Sequence, residues 1–147
     1  MPVLTDNLTR GLAAVSVVVG LPPAARRATP ASLPFELQNL TGLIDTGTSV
    51  TGIDPLVVAR LGLKTIGKTR RPVQGPFAPA GGVNPWRYRV WLTLVNPNNN
   101  PRDNLIRKNL EVLEVPASGA HVLVGTDVLM HCDFNYSGLG GTFSLSW

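Results

Sequence analysis

In "GLIDTGTSVTGI", residues 42 to 53, Asp45 follows two aliphatics and opens a Thr-Gly-Thr-Ser run. A carboxylate set at the end of a greasy strand can take a proton from water. Amide hydrolysis also needs an acid for the carbonyl oxygen, so one carboxylate is half of a mechanism. The other acids nearest in pattern are Asp54, Asp127 and Asp133, and none opens a second Asp-Thr-Gly. Other chemistries find less support. No Gly-x-Ser-x-Gly elbow supplies a serine nucleophile, and no Gly-rich phosphate loop with Lys and Ser/Thr follows a strand. Gly47 stands where one phosphatase class needs a second Asp. His131 and Cys132 are adjacent and point apart, His121 precedes a strand, and no further ligand has suitable spacing. Structural roles are expected of these three, with no metal and no cofactor.

The elements that must hold Asp45 read as short strands. Residues 12 to 20 form a Val-rich strand after a polar arm at 1 to 10, and 22 to 34 are a Pro/Ala/Arg loop. "PFELQNLTGLID" is a second strand leading to Asp45, with a bend at Gly42. A helix follows: Asp54 suits the N-cap, Pro55 the first helical position and Gly62 the left-handed stop, with Leu63 folding back on Val58. Residues 64 to 82 read as a hairpin with an exposed tip. In the strand at 86 to 95, Trp86, Tyr88, Val90, Leu92 and Leu94 share one face. Further strands are expected near 105 to 115 and at "HVLV", the latter running into Gly125 and a brief helix. "DFNYS-GLGG-TFSLSW" closes as a hairpin.

Composition agrees with one globular domain over 1–147, its core about 11–137 and a hairpin extension at 138–147. At 147 residues, 44% apolar and 15% charged, the chain is neither disordered nor a coiled coil, and thirteen prolines with fifteen glycines favour short strands and turns. The net charge of +4 comes without a basic run interleaved with aromatics, so no nucleic-acid partner is expected. The apolar stretch 11 to 21 is too short to span a bilayer as a helix, and its leader carries Asp6. No membrane partner is expected. One cysteine excludes an internal disulfide and suits a reducing, cytoplasmic compartment.

The "GLIDTG" turn and, about eighty residues on, the "HVLVGTD" segment repeat one pattern of aliphatics, small turn and brief helix. Together with the hairpin between them, this resembles the retropepsin-like aspartic proteases over roughly residues 35 to 137. The resemblance implies an all-β, closed barrel-like subunit with a flap hairpin and one or two short helices. It implies a homodimeric aspartic endopeptidase in which Asp45 of each subunit activates water against an extended peptide. Two carboxylates about 3 Å apart share one proton, and their apparent pKa values separate as those of one titrating unit. Two-fold symmetry brings a residue near the axis to its own copy.

Carried over by position, Asp45, Thr46 and Gly47 are the catalytic turn, Thr46 bonding across the two-fold. Thr48 and Ser49 line the substrate site, the Thr48 hydroxyl donating to the carboxylate and shifting activity toward acid pH. Phe77 is the lid contact of a flap from about Val73 to Trp86, with Gly81 and Gly82 permitting motion. Gly125 and Asp127 are structural. The chain departs from the retroviral pattern in its longer Pro-rich flap and in Thr126-Asp127, where Arg usually follows the glycine. Phe143, Leu145 and Trp147 are expected to extend the intersubunit sheet. The alternatives are a catalytically inactive dimer acting as a peptide-binding or assembly module, and a monomeric precursor.

Overall fold

Ten strands and three short helices account for most of the computed structural model, which describes residues 1–73, 80–117 and 119–147. The longest strands are those richest in alternating aliphatics and β-branched residues: β2 (Ala14–Gly20), β3 (Glu36–Ile44), β6 (Trp86–Leu94) and β7 (Leu105–Glu114). With the short β4 (Gly52–Ile53) and β8 (Val122–Val124) they close a six-stranded barrel in the order β2-β3-β8-β4-β7-β6, sealed by β6 on β2 from Val17↔Leu94 to Gly20↔Trp91. Closure removes the free edges these apolar strands would otherwise expose. Its interior holds Val17, Val19, Ile53, Val90, Leu92, Leu94, Val112 and Val122, all nearly or fully buried. As expected, Tyr88, Val90, Leu92 and Leu94 face inward from β6. Trp86 lies at the strand's end, 42% exposed, with the Lys68 ammonium 4.5 Å from its ring centroid.

The bend foreseen at Gly42 is elsewhere. The register of β2 with β3 slips between Val17 and Val19, opposite Asn39, which has φ of 58°. That bulge lets both Leu37 and Leu40 point inward. Gly42 serves a tighter purpose: a Cβ there would come within 2.9 Å of Val17 and 3.2 Å of Val124. Its absence lets β8 lie parallel against β3, with Gly42 opposite Val122 and Ile44 opposite Val124.

Helix α1 (Pro23–Arg26) is a single turn within the expected loop. Helix α2 (Pro55–Leu61) has the foreseen punctuation: Asp54 accepts from the Leu56 N–H at 2.9 Å, Gly62 sits at φ 59° and ψ 40°, and the Leu63 N–H donates to the Val58 carbonyl at 3.1 Å. Val57, Val58 and Leu61 bury its inner face, each contributing about 1.5–3 kcal/mol by removal from water. Helix α3 (Thr126–Leu129) follows β8 directly and buries Val128 and Leu129.

The N-terminal segment corrects the expectation of a polar arm. Residues Val3–Asn7 form β1, paired antiparallel with β10 (Thr142–Ser146), whose other side pairs with β9 (Asp133–Ser137). Leu4, Leu145 and Phe143 face the main core and are almost wholly buried there. Since β10 is flanked on both sides by strands of its own chain, Phe143 and Leu145 pack within the subunit instead of meeting a partner. Trp147 does likewise, its indole N–H donating to the Asp103 carbonyl at 3.1 Å. A two-residue strand β5 (Gly67–Lys68) pairs with β6, and Val73 bridges Val83. These are the two arms of the expected hairpin. Among the described residues no helix is long and apolar enough to cross a membrane.

Candidate active site

Asp45 is the first residue beyond β3 and is held by its main chain before its side chain acts. Its N–H donates to the Val124 carbonyl at 2.9 Å, so the end of β8 fixes where the turn begins. The chain then folds back: the Gly47 N–H donates to Asp45 Oδ1 at 2.9 Å and the Thr48 N–H to the Asp45 carbonyl at 3.3 Å. Asp residues favour such local turns because the side chain reproduces a backbone acceptor. A Cβ on residue 47 would lie 3.2 Å from the same carboxylate oxygen, a crowded approach that glycine avoids. Oδ2 has no donor among the described residues, and the side chain is half-exposed. It is free to meet water or a second carboxylate.

The Gly125 turn locks onto the Asp45 turn from below. The Thr126 N–H donates to the Thr48 carbonyl at 2.8 Å. A Cβ at Gly125 would fall 3.0 Å from that carbonyl oxygen and 3.0 Å from the Thr51 nitrogen, so glycine is required for the loops to close on each other. Thr51, fully buried, is the pin. Its hydroxyl donates to Asp127 Oδ1 at 2.7 Å and accepts from the Gly125 N–H at 3.1 Å, while its own N–H donates to Asp127 Oδ2 at 3.0 Å. Both Asp127 oxygens are thereby engaged by neutral donors. Among the described residues the only ion pairs are Arg87 and Arg89 with Glu111, so no Arg-centred pair holds this turn.

The structure thus brings Asp45, Thr46, Gly47, Thr48, Gly125 and Asp127 together. Thr46 and Ser49 are exposed at the mouth of the turn. The Thr48 hydroxyl is not among the hydrogen-bond partners of Asp45; Thr48 contributes its main chain, and its methyl side lies over Gly125. Gly81 and Gly82 adopt φ of 91° and 79°, and a Cβ on Gly82 would lie 2.8 Å from the Val73 carbonyl oxygen, which fixes the base of the hairpin. Phe77 lies outside the described residues. Asp54 caps α2 and also accepts from the Ala117 N–H at 3.3 Å. His121 ties β3 to β8: its Nδ1 accepts the Thr41 N–H at 2.9 Å, and its own N–H donates to the Thr41 carbonyl at 2.9 Å. The Cys132 thiol is pushed up, first by burial and then by neighbouring Asp133.

Two contributors were missed from sequence, Thr51 and the Thr41–His121 pair. The signal for Thr51 was present in "SVTGI", where a hydroxyl is flanked by residues that must be buried and therefore needs a partner. Nothing local announces Thr41, whose partner is 80 positions away. No cluster of three or more His, Cys, Asp or Glu able to hold a metal occurs among the described residues. The cavity beneath α1, lined by residues such as Leu21, Leu33, Leu63 and Arg89, includes no carboxylate and no residue of either turn.

No family model and no curated protein matches the sequence. Solved structures do. A retropepsin-like aspartic protease from Rickettsia conorii superposes with a TM-score of 0.60 at 13% identity, covering 97% of this chain and 89% of that one. The EIAV protease complexed with the inhibitor HBY-793 matches with a TM-score of 0.42 at 15% identity, over 82% and 86% of the two chains. A six-stranded barrel that crosses its Asp45 turn with a Gly125 turn, superposing at this extent on the Rickettsia protein, is a retropepsin-like fold.

Proposed function

We propose that residues 1–147 act as one aspartic endopeptidase domain, working as a homodimer on extended peptides, with Asp45 from each subunit forming the reacting pair. The observation that carries this reading is the Asp45 turn itself. The carboxylate is anchored through Oδ1 by Gly47, its loop is clamped by Val124 and Thr126, and Oδ2 has no donor among the described residues. In the pair, one carboxylate is ionised and the other protonated. The ionised group takes a proton from water as the oxygen attacks the amide carbon, and the protonated group gives its proton to the carbonyl oxygen. Collapse of the tetrahedral species returns a proton to the leaving nitrogen, and both products depart without a covalent enzyme intermediate. Thr46 would bond across the two-fold, Thr48 and Ser49 would line the substrate channel, and Phe77 with Gly81 and Gly82 would belong to the covering hairpin. A cytoplasmic setting fits the lone, half-buried cysteine.

The test is cleavage of a denatured protein substrate from acid to neutral pH, beside Asp45→Asn, with both proteins sized by light scattering. The expected outcome is a dimer whose cleavage falls by about 10²–10⁴-fold or more in the variant, the usual worth of a positioned acid–base group. A folded dimer that leaves substrate intact identifies a peptide-binding or assembly module. Equal cutting by the variant removes Asp45 from the mechanism.

A further inference from the structure

The cleft beneath α1 belongs to neither turn of the Asp45 site, and its lining suits a different kind of ligand. We propose that it binds a small aliphatic carboxylate, the chain lying between the two walls of the cleft and the head group held by Arg89 and Lys64. This site stands apart from the endopeptidase reading, and neither depends on the other.

The walls come from two segments. One runs from Leu21 to Leu33, the other is the turn after α2 from Gly62 to Ile66, and Arg89 reaches the cleft from the outer face of β6. Each wall is held by bonds of its own. On the first, the Leu21 N–H donates to the Phe35 carbonyl at 2.8 Å, Arg26 Nε donates to the Leu21 carbonyl at 3.2 Å, and the Thr29 hydroxyl donates to the Ala25 carbonyl at 2.9 Å. On the second, the Leu63 N–H is tied to Val58 and the Ile66 N–H donates to the Arg87 carbonyl at 2.8 Å. The walls meet where Leu33 rests on Gly62: a Cβ there would fall 2.5 Å from Leu33 Cδ1, so glycine lets them close at one end. The space left between them, about 230 Å³, is smaller than the roughly 300–1,000 Å³ of drug-sized ligand sites, which restricts the occupant to a small molecule.

Ala25, Ala28, Leu33, Leu63 and Ile66 line this space with carbon, and Ile66 stays 40% exposed, apolar surface that an aliphatic chain would remove from water. Polar recognition falls to two cations. Among the described residues no carboxylate lines the cleft and Lys64 forms no ion pair. Arg89 comes only within 3.9 Å of Glu111 Oε2, beyond hydrogen-bonding distance, because Glu111 is engaged by Arg87 Nε at 2.8 Å. The Arg89 guanidinium therefore has no acceptor among the described residues, and its planar fork matches a carboxylate. Arg26 is committed elsewhere, its guanidinium 5.5 Å from the Trp91 ring centroid and 6.0 Å from that of Phe35. A neutral chain would leave both cations of the cleft unanswered, and an inorganic anion would leave its walls wet. A carboxylate on an aliphatic chain answers both.

Octanoate is the probe, titrated into isotope-labelled protein and followed by amide chemical shifts. Saturable shifts are expected at Ala25, Thr29, Leu63 and Lys64, while octanol and inorganic phosphate at equal concentration leave these amides in place. Arg89→Gln should weaken octanoate binding by about 10–100-fold, the usual worth of hydrogen bonds to a charged group, and Lys64→Gln by less. Ala28→Phe, which fills the cleft from an exposed position, should abolish binding and keep a folded spectrum. Octanol or phosphate binding as tightly as octanoate, shifts confined to other residues, a titration that never saturates, or undiminished binding by Arg89→Gln would overturn the proposal. Asp45→Asn should bind octanoate as the wild type does, so cleavage by that variant bears on the endopeptidase reading alone.

Discussion

At the scale of single residues, one hydroxyl connects both turns of the site. Thr51→Val keeps the shape but leaves the buried Gly125 N–H unpaired and removes a donor from Asp127, so a loss of about 1–3 kcal/mol is expected in urea unfolding. Thr51→Ser should recover most of it. Cleavage should fall in the valine variant by more than the folded fraction accounts for, because the Asp45 turn loses its floor. Residue identity was readable where chemistry is local: Asp54, Pro55 and Gly62 punctuate α2 as their types dictate. It failed where a partner lies far along the chain. The structural role expected of Asp127 rests on a bond to Thr51 that joins positions 76 apart, and the expected donation from the Thr48 hydroxyl gives way to main-chain contacts.

At the scale of elements, β6 and β7 make the most extensive antiparallel pair, and one polar contact on it responds to alkali. The Tyr88 hydroxyl donates to Glu114 Oε2 at 2.8 Å; burial first, then this bond and the carboxylate's charge, push its pKa up to about 12. The folded state therefore holds this proton more tightly than the unfolded chain, whose tyrosine titrates near 10. The associated stability is complete below about pH 10 and is lost as pH rises toward 12. Denaturation midpoints measured across that window should fall more steeply for the wild type than for Tyr88→Phe. Strand identity was legible throughout β6 to β10 because alternation and turn residues coincide. β1 looks like a polar arm in sequence because only Leu4 of its five residues is buried, and that one-sided pattern gives no periodic signal without β10 beside it.

At the scale of the whole molecule, the C-terminal strand belongs to the core. Leu145→Ala should cost about 2–5 kcal/mol and lower the melting temperature accordingly, as for any fully buried leucine whose site cannot collapse. A strand that merely decorated the surface would tolerate the change. An all-β subunit was legible from many short apolar strands, and its closure into a barrel only through the resemblance carried by the two turns; the pairing of β1 with β10 was not legible, because it joins the two ends of the sequence. The parallel contact of β3 with β8 has a consequence in time. Thr41 and His121 stand 80 residues apart, and closing so long a loop is slow and entropically unfavourable until neighbouring contacts repay it. A nascent polypeptide that has emerged only as far as β7 therefore has a carboxylate turn held by its local bonds alone, without Val124, Gly125 or Asp127 to brace it. The crossing of the two turns, on this architecture, is completed late in biogenesis.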